Sequence, residues 1–498
     1  METVSSAFRF ESRLEAYRYA FTRLSVTGTQ MRNDIDAVIE TVRNRVEPGK
    51  EERAALDAVV EELTRRAEAA IADLSVKADV VLAGSTARET WLAGERDIDL
   101  FVRFPPSLDR DGLRKYGLSV GHTVVDGREE YAEHPYVVGE LDGFQVDVVP
   151  CYALEDATDI RSAVDRTPFH TRYVSERLDR DLASDVRVAK QFLTGTGVYG
   201  SDLRTQGFSG YLTELLTLEY GGFRALVEAV ADWQPPVRFD PRDHGTATFD
   251  DPLVVIDPTD PGRNVAAVLS GENLARVQHC ARDLLADPRP ELFVPREPDP
   301  ADADRVRSAF EARGTTPLAL RLTVPNLVDD QLWPQLRRSV SGIAGELDRR
   351  GFDVFRTDAF AQPHGVEPGD PGGPDADTGR TVVLLFELAV AERPCLERHE
   401  GPPVHVGEHA ASFCDAYADS DARGPFLDGD RYVVEREREF TTARGFLAGD
   451  ALLDVALGAA IERALAEEYD LLVGDELGSL AGAFGTQLGR YLDPAVRL

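Results

Sequence analysis

The apolar pattern of this chain predicts an α+β protein of several packed units: a small mixed head, a helical middle and a second mixed unit. Three observations carry that prediction. The 498 residues exceed what one hydrophobic core usually organises, and 43% of them are hydrophobic, enough for several cores. Short runs alternate apolar and polar residues with period two, as half-buried strands do. Longer runs between them repeat apolar residues at helical spacing.

Taken in order, residues 1–30 are polar and weakly patterned and read as an extra N-terminal tail, with Met31 opening the patterned chain. Leu56, Val59, Val60, Leu63, Ala67 and Ile71 predict a helix over Glu51–Asp73. Ala78–Leu82 is a strand running into Gly84-Ser85. In Asp97–Phe104 the residues Ile98, Leu100 and Val102 face one way and Asp97 and Asp99 the other. Phe144–Val149 alternates again, with Asp147 opposite Phe144, Val146 and Val148. Residues 152–290 read as mostly helical, clearest at Ser184–Thr194 and Ser209–Glu219, with a strand at Pro252–Ile256 and a helix over Val265–Leu285. Beyond 291 come a strand (Leu318–Val324), a helix (Asp329–Arg350) and two strands (Phe352–Phe360, Arg380–Val390), the order of a ferredoxin-like unit. The Pro/Gly/Asp-rich stretch Gln362–Gly379 reads as an inserted loop. A helix over Asp450–Tyr469 and a final helical piece complete the chain.

Charge excludes less than it first suggests. Asp and Glu number 88 against 55 Lys and Arg, a formal charge of −33 that on its face argues against a nucleic-acid partner. Yet there are only four lysines (Lys50, Lys77, Lys115, Lys190), all other basic residues being arginine. Excess acid with almost no lysine fits a high-salt cytoplasm, where a Debye length of about 3 Å at 1 M screens self-repulsion. The charge thus reports habitat rather than partner. Four scattered cysteines do not make a disulfide framework. The longest apolar run, 381–391, contains Glu387 and falls short of the roughly 20 residues a membrane span needs.

One constellation carries chemistry. Asp97 and Asp99 share a strand face, and Asp147 joins them from another strand. Three clustered carboxylates repel unless cations lie between them, and hard oxygen ligands suit Mg²⁺, with substrate phosphates completing its shell. Such a site activates a hydroxyl and stabilises a leaving oxygen. The Gly84-Ser85 turn offers backbone N–H groups and a hydroxyl to phosphates, and Arg88 adds charge one turn on. The plain alternative, a solvated Asp-x-Asp strand face, leaves the Gly-Ser turn and Asp147 unexplained. A second cluster, Cys395, His399, His405, His409 and Cys414, has no standard zinc spacing and reads as buried cysteines and exposed histidines.

The motifs Gly84-Ser85-Thr86-Ala87-Arg88-Glu89-Thr90-Trp91-Leu92, Tyr131–Tyr136, Val146–Tyr152, Ala163–His170, Arg204–Leu212 and Asp257-Pro258 with Arg263–Ala267 resemble the archaeal, class I CCA-adding enzymes. These are tRNA nucleotidyltransferases of the DNA polymerase beta superfamily. The resemblance spans essentially everything from Met31 onward and is most specific over 80–275. It implies a polymerase-beta-like nucleotidyltransferase head (31–151), a helical neck (152–290), a ferredoxin-like body (291–400) and a mixed, largely helical, tRNA-binding tail (401–498). Asp97, Asp99 and Asp147 would be the catalytic carboxylates and hold Mg²⁺. Ser85, Arg88, His170, Lys190 and Tyr199 would bind the triphosphate of ATP or CTP, and Arg263 the incoming base. Asp97 stands where the family usually has Glu, which shortens its reach and keeps its chemistry.

The resemblance implies template-independent addition of C, C and A to tRNA 3′ ends. The expected partners are tRNA, held by its acceptor arm and 3′ end, CTP, ATP and a second copy of the chain in a homodimer, in the cytoplasm and without a membrane. Two other readings remain at this point: a poly(A)- or oligoadenylate-forming enzyme of the same superfamily, and a non-catalytic RNA-binding protein. The latter has no need of three mutually repelling carboxylates.

Overall fold

The computed structural model describes residues 28–131, 134–245, 247–363 and 379–495. The chain divides into two compact units, one ending at Arg296 and one running from Glu297 to Ala495. The tail expected over 1–30 lies outside the described residues, save that a first helix, α1 (Gly28–Val46), already begins at Gly28.

In the first unit, α2 (Lys50–Ala72) buries Leu56, Val59, Leu63 and Ala67, the spacing that predicted it. Next come β1 (Asp79–Ala83), a single helical turn at Gly84–Ala87 and β2 (Asp97–Phe104). Helix α3 (Arg110–Val124) and the strands β3 (Gly127–Tyr131), β4 (Pro135–Leu141) and β5 (Phe144–Tyr152) follow. The sheet order is β1-β2-β5-β4-β3, with β2 and β5 parallel and the other pairs antiparallel. Ile98, Leu100, Val102, Val146 and Val148 pack with α2 and α3 in one core.

The rest of this unit is helical: α4 (Thr167–Ser175), α5 (Arg180–Gly195), α6 (Gly210–Tyr220), α7 (Phe223–Asp232) and α8 (Gly271–Ala286). A two-stranded parallel pair, β6 (Val237–Phe239) and β7 (Leu253–Val255), lies between α7 and α8. Ile35, Ile39, Val42 and Val46 of α1 belong to this second core, with Val188, Phe192, Leu212 and Leu215. The helix expected from Val265 starts only at Gly271. Val265 instead donates its N–H to Val255, and Ser270 caps the helix by accepting from Asn273 N.

The second unit holds α9 (Ala303–Arg313), β8 (Thr316–Val324), α10 (Asp329–Arg349), β9 (Val354–Ala361) and β10 (Arg380–Leu388). Next are β11 (Leu396–Pro403), α11 (Gly407–Tyr417), β12 (Arg423–Asp428) and β13 (Arg431–Glu437), then α12 (Ala459–Glu467), β14 (Tyr469–Val473) and α13 (Ala481–Leu492). The sheet β14-β8-β10-β9 is antiparallel throughout, the strand order of a ferredoxin-like unit. Its fourth strand comes from beyond residue 400, and the β11-β13-β12 sheet is inserted ahead of it. The helix expected over Asp450–Tyr469 is therefore interrupted: it shrinks to Ala459–Glu467, and Tyr469 pairs with Leu322 as sheet. Most of the loop expected over Gln362–Gly379 lies outside the described residues. In the Cys/His-rich stretch the expected burial of the cysteines does not hold: Cys395 is exposed and Cys414 half-buried, while His399 stacks on Phe413 with ring centroids 5.8 Å apart. No described helix is long and apolar enough to cross a membrane.

Candidate active site

The parallel register of β2 and β5 sets Asp99 directly opposite Asp147, and Asp97 opposite Gln145. Antiparallel pairing of β1 sets Ala83 opposite Asp99, so the chain leaves β1 for the Gly84-Ser85 turn right beside that carboxylate. Gly84 has φ +67°, and a Cβ built there would lie 1.7 Å from Asp99 Oδ2. Glycine is demanded twice, by backbone conformation and by the closeness of the acid. Thr86 Oγ1 donates to the Asp97 carbonyl at 2.8 Å, pinning the turn to β2.

The electrostatics of the three carboxylates favour a cation. Burial, with the Asp99 carboxylate beside it, pushes Asp147 up to about 6. Burial also raises Asp99, with Asp97 adding to the shift and the Arg88 charge opposing it. Asp147 Oδ1 is buried without a hydrogen-bond partner. Among the described residues no three His, Cys, Asp or Glu side chains enclose a metal ion on protein atoms alone. A hard divalent ion that takes most of its oxygens from phosphate and water needs only one or two carboxylates. The unpartnered Asp147 oxygen beside Asp99 fits such an ion.

The residues expected to bind nucleotide fall into two groups, each tied to a buried carboxylate. In the first, Arg88 Nε pairs with Glu214 Oε2 at 2.7 Å and Arg88 Nη1 donates to Thr171 Oγ1 at 3.2 Å. Lys190, on the buried face of α5, is fully enclosed. Its Nζ donates to the Thr90 carbonyl at 2.8 Å and lies 3.9 Å from Glu214 Oε1. Burial lowers the pKa of Lys190 and Glu214 pulls it back up. The Tyr199 hydroxyl lies in the same region, 3.2 Å from where a Cβ on Gly210 would stand, and burial raises its pKa. In the second group, His170 Nε2 and Arg263 Nη1 both lie 2.8 Å from Asp257 Oδ2. The His170 ring stacks on Tyr211 at 3.9 Å. Burial lowers the pKa of His170, Asp257 opposing. Burial works against ionising Asp257, yet the bond to His170 holds its carboxyl below the usual range. Asp165, also buried, accepts from the N–H groups of Tyr152, Arg161 and Ser162 and so shapes the turn leading from β5 to α4 and His170.

Ser85, half-buried in the turn, and the acids therefore form one neighbourhood, and Arg88 links it to Lys190 and Glu214. His170 and Arg263 gather on Asp257. Glu214 and Asp257 were assigned no role in the sequence. The available signal was an acid set among apolar residues: Glu214 lies within Leu212–Leu216 and Asp257 directly follows Leu253–Ile256, and both are fully buried.

Gly84→Ala is expected to cut turnover by about 100-fold or more, because the new methyl must displace the Asp99 carboxylate and about 1 Å of misplacement suffices for that loss. Single-turnover rates alongside a thermal melt test it, and a rate within about threefold of wild type would refute the steric argument.

Comparison with known proteins reaches the same chemistry from another direction. Residues 64–170 match the nucleotidyltransferase domain, 184–294 the second domain of tRNA nucleotidyltransferase, and 313–366 with 374–474 the C-terminal domain of CCA-adding enzyme. The chain is 63% identical over 467 residues to the CCA-adding enzyme of Haloarcula marismortui, covering 93% of this chain and 100% of that one. It is 59% identical to that of Halorubrum lacusprofundi (93% and 99% covered) and 39% identical to that of Methanoregula boonei (87% and 91% covered). With identity this high along almost the whole length, the chain belongs to the family of CCA-adding enzymes.

Proposed function

We propose that this protein adds C, C and A in turn to the 3′ end of tRNA, drawing on CTP and ATP, without a nucleic-acid template, and rebuilds damaged CCA ends. The observation that carries the reading is the Asp99–Asp147 pair in parallel register beside the Gly84-Ser85 turn. In each cycle the tRNA 3′ oxygen forms a bond to the α-phosphorus, the bond from that phosphorus to the bridging oxygen breaks, and pyrophosphate leaves. Asp97, Asp99 and Asp147 would hold Mg²⁺, which when bound neutralises the phosphates and makes the attacking hydroxyl more acidic. With the cation making the hydroxyl more acidic, Asp147 would assist its deprotonation from beside it. Ser85 and the backbone of its turn receive the phosphates, with Arg88, His170, Lys190 and Tyr199 on the triphosphate side and Arg263 at the base. The first unit would carry head and neck and the second, Glu297–Ala495, body and tail, gripping the acceptor arm by shape and backbone contacts. The setting is cytoplasmic and the working form a homodimer.

The relatives favour CCA addition over a poly(A)-forming enzyme. Incubating tRNA that lacks CCA with labelled CTP and ATP, and sizing the products, tests it. Three added nucleotides, with ATP incorporated only after CTP, are expected; long ATP-only extension would overturn the reading.

A further inference from the structure

A carboxylate buried to zero exposure in the middle of an apolar helix is a costly placement unless its partners need it. Glu214 stands on α6 between Leu212 and Leu215, both in the core, and is itself fully buried. Its two oxygens are divided between elements. Oε2 forms an ion pair with Arg88 Nε at 2.7 Å; Oε1 accepts from Thr90 Oγ1 at 2.5 Å and faces Lys190 Nζ at 3.9 Å. Lys190 in turn grips the Thr90 carbonyl. One turn earlier on α5, Arg187 donates to the carbonyls of Glu89 and Trp91 and pairs with Glu47 at 2.7 Å. The segment 88–91, which leads directly out of the Gly84-Ser85 turn, is thus clamped by α5 and α6 together. Glu89 within it holds a positive φ of 54°.

We infer that Glu214 is a positioning residue for nucleotidyl transfer: directly, and through the Thr90 loop with Lys190 behind it, it holds the Arg88 guanidinium in one preset geometry toward the triphosphate. An unanchored arginine samples many rotamers, and ordering it at each binding event weakens alignment. One carboxylate between two cations also leaves a single net positive charge, so the cluster stays attractive to phosphate while both side chains are held in place. This inference rests on Arg88 contacting the triphosphate.

The test is a double-mutant cycle on the full-length protein, with kcat and the KM for CTP and ATP measured at saturating tRNA. Glu214→Gln keeps the shape and removes the charge. It is expected to lower kcat/KM by about 100-fold in the wild-type background, a misplacement-sized loss. In an Arg88→Ala background it should cost no more than about threefold, because its effect runs through Arg88. Glu214→Asp, which keeps the charge at shorter reach, should recover part of the loss, and serves in the same cycle if Glu214→Gln fails to fold. Losses that multiply across the cycle, or Glu214 variants as active as wild type, would overturn the positioning role. Arg88→Ala with wild-type KM for both nucleotides would instead remove Arg88 from the phosphate site and overturn the inference together with its premise.

Discussion

Asp99→Asn and Asp147→Asn are each expected to lower nucleotide addition by about 10³-fold or more while the protein stays folded. Loss of an anionic ligand to the catalytic cation removes several kcal/mol of transition-state stabilisation, at about 1.4 kcal/mol per tenfold. Folding should not suffer, because the wild-type pair is electrostatically uncomfortable without a cation. Burial, with Asp99 beside it, pushes Asp147 from its ordinary 3.8 up to about 6, so between those pH values the folded state holds the extra proton. The stability associated with that proton is present below about pH 4 and is lost as pH rises through about 6. In divalent-free buffer at pH 8, Asp147→Asn should therefore melt at or above the wild-type temperature, and the difference should vanish at pH 4. Divalent binding must displace the same proton, so apparent cation affinity should fall as pH drops below about 6. Near-normal rates in either variant, or a cation affinity flat from pH 5 to 8, would sink the carboxylate site.

These acids were legible because strand alternation is a strong local signal. Asp97 and Asp99 had to face away from Ile98, Leu100 and Val102, and Asp147 away from Val146 and Val148, whose burial is complete. That Asp99 meets Asp147 across a parallel register is non-local, and no window of sequence contains it. Helix α3 escaped notice for a physical reason. Gly112, Gly117 and Gly121 dilute its helical pattern, yet two of them are required by contact. A Cβ at Gly117 would come within 2.5 Å of Pro150, and one at Gly121 within 2.5 Å of Val137. The helix lies so close on the sheet that residues good for an isolated helix do not fit.

The β3–β4 hairpin was missed because β3, Gly-Arg-Glu-Glu-Tyr, is a charged edge strand with little apolar alternation, as edges that resist aggregation tend to be. Strand β14 follows Glu467 and Glu468 without a turn residue, so the helical reading extends to its first residue, Tyr469. Glu214 and Asp257 illustrate the opposite limit. Their importance lies in partners more than 40 residues away in most cases, Arg88 and His170 among them, and a single sequence shows only an acid where a hydrophobe would do.

Lys190→Arg is expected to damage turnover nearly as much as Lys190→Ala, each by about 100-fold in kcat/KM, with tRNA binding unchanged. Composition makes the residue conspicuous: arginine supplies all but four of the basic positions, and Arg187 occupies the same helix one turn earlier. A site indifferent to the two would in this chain carry arginine. The environment explains the exception. Lys190 is 1% exposed, with Nζ 2.8 Å from the Thr90 carbonyl and 3.2 Å from Thr90 Oγ1. Gly210 contributes no side chain nearby, and even a methyl there would stand 3.8 Å from Lys190 Cε. A compact ammonium fits that space, whereas a planar guanidinium, longer and five-donor, must push Thr90 or Glu214 aside. Displacing Thr90 moves the segment that carries Arg88, so the harm should appear in kcat and in the KM for both nucleotides. Steady-state kinetics of the two variants, with a filter-binding measurement of tRNA affinity, decide the matter. A Lys190→Arg enzyme within about twofold of wild type would show that the pocket has room to spare and that Lys190 is no part of the nucleotide site.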